Sequence, residues 1–337
     1  MHFLITGHTG FKGSWLALML RERGHQVSGI SLDSHVDSIF STASMGNLME
    51  NDVRCDIRNL TKLQKHFKDI NPEVVIHFAA KALVRESYVD PITTFDTNVI
   101  GTINVLKASQ EIKGLKAQLI ITTDKVYKNV NKLSGYVESE PLGGQDPYSA
   151  SKAMADIATQ SWLASFKNVP TGIARAGNVI GGGDISTDRL IPDLINSYKL
   201  GITPQLRAPN SIRPWQHVLD CLNGYLLLVD SLLRGVGEGA WNFGPSEPQI
   251  KTVSEVSDIA GEVWGVQQKW EQNPDELPHE ANVLILNSDK ARTELLWNDK
   301  LNFEESVTWT VNWYRNVHNG SEPYNEMLKN FREFESR

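Results

Sequence analysis

Tyr148 and Lys152 stand four residues apart in Asp146-Pro147-Tyr148-Ser149-Ala150-Ser151-Lys152, a stretch that begins a helix. Residues one turn apart share a helix face. A phenol of ordinary pKa near 10 is a poor base at neutral pH. A fixed ammonium a few ångströms away favours the phenolate and lowers that value. Such a pair takes the proton from a hydroxyl while its carbon is oxidised, and the lysine can also hold the ribose of a nicotinamide cofactor. The spacing alone is common by chance, so its weight comes from what lies upstream.

Thr6-Gly7-His8-Thr9-Gly10-Phe11-Lys12-Gly13 directly follows the apolar run Phe3-Leu4-Ile5 and opens an amphipathic segment. Strand, glycine loop and helix in that order form the context of a dinucleotide fingerprint. Gly7 permits the tight turn, Gly10 lets the backbone approach a pyrophosphate, and Gly13 lets the helix pack on the strand. The helix N-terminus then offers amides and a partial positive charge to phosphates. Thr9, Phe11 and Lys12 lie in the same loop and are expected to touch the cofactor, as are Ala79 and Ala80 at the end of the strand from Val74. The second strand ends in Ser31-Leu32-Asp33-Ser34, where Ser31 occupies the usual acid position. No Arg or Lys lies between Ile30 and Ser44 to meet a 2′-phosphate, so NAD is expected over NADP. Asp33 is the candidate for the ribose, with an N-cap or turn role as the alternative.

These groups need a scaffold that brings them to one edge. Apolar strands are expected at Phe3–Thr6, Val27–Leu32, Val53–Ile57, Val74–Ala79 and Leu119–Thr123, separated by helices over Phe11–Arg23, Leu60–Ile70 and Thr93–Ile112. Continuous apolar strands alternating with helices imply a parallel sheet covered on both faces, an α/β doubly wound Rossmann fold. Beyond about residue 177 the regularity gives way to turn-rich breaks at Gly181-Gly182-Gly183, Ala208-Pro209-Asn210 and Gly244-Pro245-Ser246. The expected division is a dinucleotide-binding domain over 1–177, rejoined by 214–240. A smaller interleaved substrate lobe takes 178–213 and 241–337.

The 337 residues are ample for such a molecule. A net charge of -7 favours neither nucleic acid nor an anionic membrane as partner. Cys55 and Cys221 form no metal-type cluster or disulfide framework, and no metal is expected. No apolar run approaches the roughly 20 residues of a membrane helix. The N-terminus reads as a buried strand and not as a signal peptide, so a cytoplasmic location is expected.

The glycine spacing, with two residues between successive glycines, resembles the extended short-chain dehydrogenase/reductase family. Longer stretches are similar to its nucleotide-sugar epimerase/dehydratase branch, above all to dehydratases acting on CDP-glucose. They are TGHTGFKGSW (6–15), TDKVY (123–127), PLGGQDPYSASK (141–152), RAGNVIGGGD (175–184), RLIPD (189–193), IRPWQHV (212–218), WNFGP (241–245), His279-Glu280-Ala281 and SDKAR (288–292). The resemblance implies a 4,6-dehydratase cycle. Carbon 4 of the sugar is oxidised, water is eliminated across carbons 5 and 6, and the hydride returns to carbon 6.

It implies that Thr123 shares the proton of the 4-hydroxyl with Tyr148 and that Asp124 is the acid at the 6-hydroxyl, with a raised pKa. Lys125 then sits where related enzymes keep the carbon 5 base. An ammonium cannot accept a proton, so Lys125 acts either neutralised or as an electrostatic stabiliser of the enolate; pairing with Asp124 or a phosphate is the alternative. The resemblance also makes Asp56 and Ile57 an adenine-contacting pair and Asn98 a supporting residue. Arg213 becomes a phosphate contact, with Asn178 near the phosphates or sugar. Arg189 and Arg207 are further candidates, because a guanidinium suits diphosphate oxygens. His217 reads as structural, and His8 as either a turn residue or a modest influence on cofactor affinity.

The expected substrate is CDP-glucose. The competing readings are a nucleotide-sugar 4-epimerase, a dehydratase of another nucleotide sugar, and a non-catalytic NAD sensor. Family members pair through helices, so the amphipathic 93–112 and 148–166 segments suggest a homodimer or homotetramer.

Overall fold

The computed structural model describes residues 1–166, 169–246, 250–273 and 283–337; the His279-Glu280-Ala281 stretch lies outside them. The strands are β1 (His2–Thr6), β2 (Gln26–Ser31), β3 (Asn51–Arg54), β4 (Val74–His77), β5 (Ala117–Ile121), β6 (Thr171–Ala176), β7 (Asn178–Ile180), β8 (Gln205–Leu206), β9 (Ile212–His217), β10 (Gly239–Phe243), β11 (Ile250–Thr252) and β12 (Glu271–Gln272). Seven of them form the central sheet in the order β10-β6-β5-β4-β1-β2-β3. All its neighbours run parallel. The chain leaves β1 toward β2 and β3, then crosses to β4, β5 and β6 on the other side. That reversal between β1 and β4 is where an open α/β sheet binds its ligand, outside the carboxyl ends of the strands.

Strands β4 and β5 are buried at every position, because helices cover both faces of the sheet. Two strands are shorter than their apolar runs. β3 stops at Arg54, opposite Ser31 of β2, after which Asp56 turns back to accept the Arg58 amide. β4 stops at His77, where the chain packs against the turn at Gly7. The expected 93–112 helix is helical from Pro91 to Gln110, with a π turn at Asp96–Ile100 in its middle. A short helix at Val84–Val89 has no counterpart in the expected pattern.

The smaller lobe holds the sheet β11-β9-β7 and the pair β12-β8, backed by helices Leu190–Lys199, Val253–Trp264, Phe303–His318 and Pro323–Glu335. The expected boundary shifts here. β9 belongs to the lobe's sheet, whereas β10 joins the central sheet beside β6. The segment returning to the sheet is therefore the helix Val218–Leu233 with β10, and not 214–240. One apolar core runs through both lobes, from Trp15 and Leu16 to Val311 and Trp313. Trp15 pins the first helix to the lobe by donating its indole N–H to the Gly182 carbonyl at 2.9 Å.

Candidate active site

The glycine loop has the geometry its sequence suggests. Gly7 has φ +78°, and a Cβ there would sit 2.7 Å from the Ala79 nitrogen. A Cβ on Gly13 would meet the Gly7 carbonyl oxygen at 2.4 Å, so the helix Phe11–Glu22 lies against the loop as only glycine permits. No side chain caps this helix at Gly10, leaving its first-turn amides for an anion. An uncapped twelve-residue helix behind a glycine cradle fits a dinucleotide pyrophosphate.

His8 points away from that cradle. Its ring packs under Gly29, where a Cβ would lie 2.2 Å from the imidazole Cγ, and its Nε2 is 2.7 Å from Asp52 Oδ1. Burial lowers its pKa. Thr9 Oγ1 meets Ser31 Oγ at 2.6 Å, closing the loop onto the end of β2. Asp33 projects into solvent, 3.4 Å from Arg54 Nε. A cation therefore does reach this corner, from β3 and not from the 30–44 window. Asp56 pairs with Arg58, while Ile57 is buried beneath Gly101.

Tyr148 and Lys152 share one face of the helix Pro147–Ser165, which is capped by Asp146 through the Ser149 amide. Burial pushes the Tyr148 phenol up to about 12, against the opposing effects of the Thr123 hydroxyl and the Arg189 guanidinium. Lys152 Nζ donates to the Ile121 carbonyl at 2.7 Å, and burial lowers its pKa to about 8. Arg189 is thus a cation near the phenol to which the sequence reading assigned a different role. Through its bond to Ile121, Lys152 also ties the helix to the end of β5.

Thr123 caps the short 3-10 turn Asp124–Val126, and its hydroxyl donates to Asp124 Oδ1 at 2.9 Å. Asp124 is 2% exposed, and its Oδ2 has no partner among the described residues. That oxygen faces Gly177, where a Cβ would stand 3.2 Å away. Lys125 is half-buried in the same turn. Asn98, on the π turn, accepts from the Lys81 amide at 2.8 Å and donates to Ser151 Oγ at 2.8 Å. It thereby ties the segment after Ala79-Ala80 to the helix of Tyr148.

The structure separates the candidate substrate cations. Arg189 pairs with Asp184 at 2.8 Å beside Tyr148. Arg207 and Arg85 both meet Asp188 Oδ1, at 2.8 and 2.9 Å. Arg213 is buried on β9 and donates to the Ile212 carbonyl at 2.9 Å. Asn178 opens β7, opposite Trp215. Arg85 escaped the sequence reading because its helix was not foreseen. His217 is fully buried as an N-cap, its Nδ1 accepting from the Leu219 amide at 3.3 Å; burial drops its pKa to about 3.

A second feature missed from sequence is a buried ion pair. Arg175 of β6 meets Asp156 of the Tyr148 helix through two contacts of 2.8 Å, and Thr122 Oγ1 donates to the same carboxylate at 3.1 Å. Arg175 Nη1 also donates to the Tyr127 hydroxyl at 2.9 Å. The helix is thereby fixed to β5 and β6.

This fold and site define a dinucleotide-binding oxidoreductase-type scaffold, and comparison with known proteins narrows it. The family described as GDP-mannose 4,6 dehydratase matches residues 4–310, and the chain belongs to that family. It is 42% identical over 325 residues to the CDP-glucose 4,6-dehydratase of Salmonella typhimurium, covering 92% of this chain and 89% of that one. It is 26% identical to the dTDP-glucose 4,6-dehydratase of Escherichia coli, over 94% of each chain. Its fold superimposes with a TM-score of 0.82 on the UDP-glucose 4-epimerase of Thermus thermophilus solved with NAD. That protein is 26% identical and is matched over 94% of this chain and all of its own.

Proposed function

We propose that this protein is an NAD-dependent 4,6-dehydratase that converts CDP-glucose to CDP-4-keto-6-deoxyglucose and water. The observation that carries the reading is the Thr123-Asp124-Lys125 turn beside Tyr148, with a buried carboxylate oxygen left unpaired. An enzyme that only oxidises and reduces carbon 4 has no use for a second acid. The 42% identity to a CDP-glucose dehydratase supports the choice of nucleotide.

NAD, when bound, supplies a reversible hydride acceptor; the glycine loop, Asp33, Asp56, Ile57, Ala79, Ala80 and Lys152 hold it. Tyr148 takes the proton of the 4-hydroxyl, with Thr123 as its hydrogen-bonding partner and Arg189 stabilising the phenolate. The 4-ketone acidifies the carbon 5 hydrogen. Lys125, as a neutral amine, accepts that proton and becomes the ammonium that stabilises the enolate. Asp124 delivers a proton to the departing 6-hydroxyl. Arg207, Arg213 and Asn178 hold the diphosphate and sugar.

The working unit is a homodimer in the cytoplasm. Exposed Tyr88, Val89, Ile92 and Ile100, together with Met154 and Ile157 of the Tyr148 helix, supply an apolar face for pairing. No helix among the described residues is long and apolar enough to cross a membrane.

Turnover of CDP-, dTDP-, UDP- and GDP-glucose in deuterated water tests the function. A 4-keto-6-deoxy product carrying deuterium at carbon 5, formed fastest from CDP-glucose, is expected. A 4-epimer without deuterium would make the protein an epimerase.

A further inference from the structure

The adenosine end of the cofactor site contains a charge arrangement that the second strand alone does not reveal. In this fold the ribose 2′-position is read at the end of β2, by an acid for NAD or an arginine for NADP. Here Ser31 fills the usual acid position and is bound to Thr9. Parallel pairing sets Arg54 of β3 directly opposite Ser31. Its guanidinium contacts both oxygens of Asp52, with Nη2 to Oδ2 at 3.0 Å, and its Nε lies 3.4 Å from Asp33 Oδ1. It rests over the Phe40 ring, 5.6 Å from the centroid. Asp52 is in turn fixed from below by the buried His8 ring.

The corner therefore holds an arginine of the kind that binds a 2′-phosphate, but it is already paired with two carboxylates, bidentately with Asp52 and as a looser ion pair with Asp33. Two acids against one guanidinium leave it one unit negative. A 2′-phosphate adds roughly two negative charges and would have to displace carboxylates from a bidentate pairing. Ribose hydroxyls carry no charge and can donate to Asp33.

We propose that Asp33 and Arg54 together set the cofactor choice. NAD is selected because a resident arginine is neutralised by Asp33 and Asp52, and not because a cation is lacking. This rests on the NAD-dependent reading above. Asp33 has a side chain 94% exposed, so replacing it leaves the fold intact.

The test is calorimetric titration of the nucleotide-free full-length protein with NAD and with NADP, at ionic strength near 0.05 M so that screening does not mask the charges. Wild type is expected to prefer NAD. Asp33→Asn should shift the ratio of dissociation constants toward NADP by about tenfold or more, which is about 1.4 kcal/mol. Arg54→Ala should shift it the other way, and the double variant should lose the Asp33→Asn gain. An unchanged ratio in Asp33→Asn, a gain that survives in the double variant, or a wild type without preference overturns the proposal. Binding of neither nucleotide to wild type overturns the NAD reading itself, and this inference with it.

Discussion

Replacing Tyr148 by Phe removes the oxygen that takes the 4-hydroxyl proton and keeps the ring. Product formation should fall about 10²–10⁴-fold, the usual contribution of a positioned acid–base group, while NAD titration shows binding retained. Asp124→Asn separates the steps differently. It keeps a group that Thr123 can donate to at the position of Asp124 Oδ1, but cannot protonate the leaving hydroxyl. In a single turnover, reduced cofactor should appear at 340 nm and persist, with elimination slowed by about 10²–10⁴-fold; prompt decay of that signal would remove Asp124 from the acid role. At this scale the sequence discloses residues whose partners lie within a few positions. Tyr148 with Lys152, and Thr123 with Asp124, are local pairs. Arg189 reaches Tyr148 from some forty residues away, and Arg54 reaches Asp33 only through strand register, so neither partnership is written in spacing.

The helix carrying Tyr148 is held by buried polar contacts as well as by packing. Asp156→Ala would leave Arg175, 1% exposed, as an uncompensated buried charge and leave Thr122 only its longer bond to the Ala174 carbonyl, at 3.4 Å. Breaking such a pair costs about 3–5 kcal/mol, so chemical denaturation should show a loss of that order. The helix Leu60–Ile70 matches its expected bounds because apolar period and caps agree: Asn59 caps one end and Asn71, in the left-handed conformation, stops the other. β3 and β4 are shorter than expected because apolar residues continue past the last ladder hydrogen bond into the loops that line the cleft. The π turn at Asn98 carries no pattern of its own, being one extra residue in an otherwise helical run.

For the molecule as a whole, Ile157→Glu places a charge in the proposed pairing face and should halve the mass in solution by light scattering. An unchanged oligomer would move the interface elsewhere. Acid stability follows from groups buried in the wrong protonation state for low pH. Burial holds His77 and His217 near pKa 3. Below about 6.5 the unfolded chain takes up protons that the native one refuses, so each removes about 1.4 kcal/mol per pH unit down to about 3. Asp220, raised to about 7 by burial, works oppositely between 3.8 and 7. One proton net remains. Urea titrations at pH 6 and pH 5 should show stability falling by about 1.4 kcal/mol from these three groups, and His77→Gln should flatten the slope. The alternation of strand and helix makes the sheet legible from sequence. The allegiance of β10 is not, because it joins the sheet only after the chain has built part of the other lobe. That late arrival bears on synthesis. Between the end of β6 at Ala176 and the start of β10 at Gly239, roughly sixty residues leave the ribosome, about 3–12 s of translation. For that interval β6 is an open edge, with unpaired backbone groups inviting another nascent chain. The central sheet is most prone to misassembly in those seconds, before its edge strand β10 arrives.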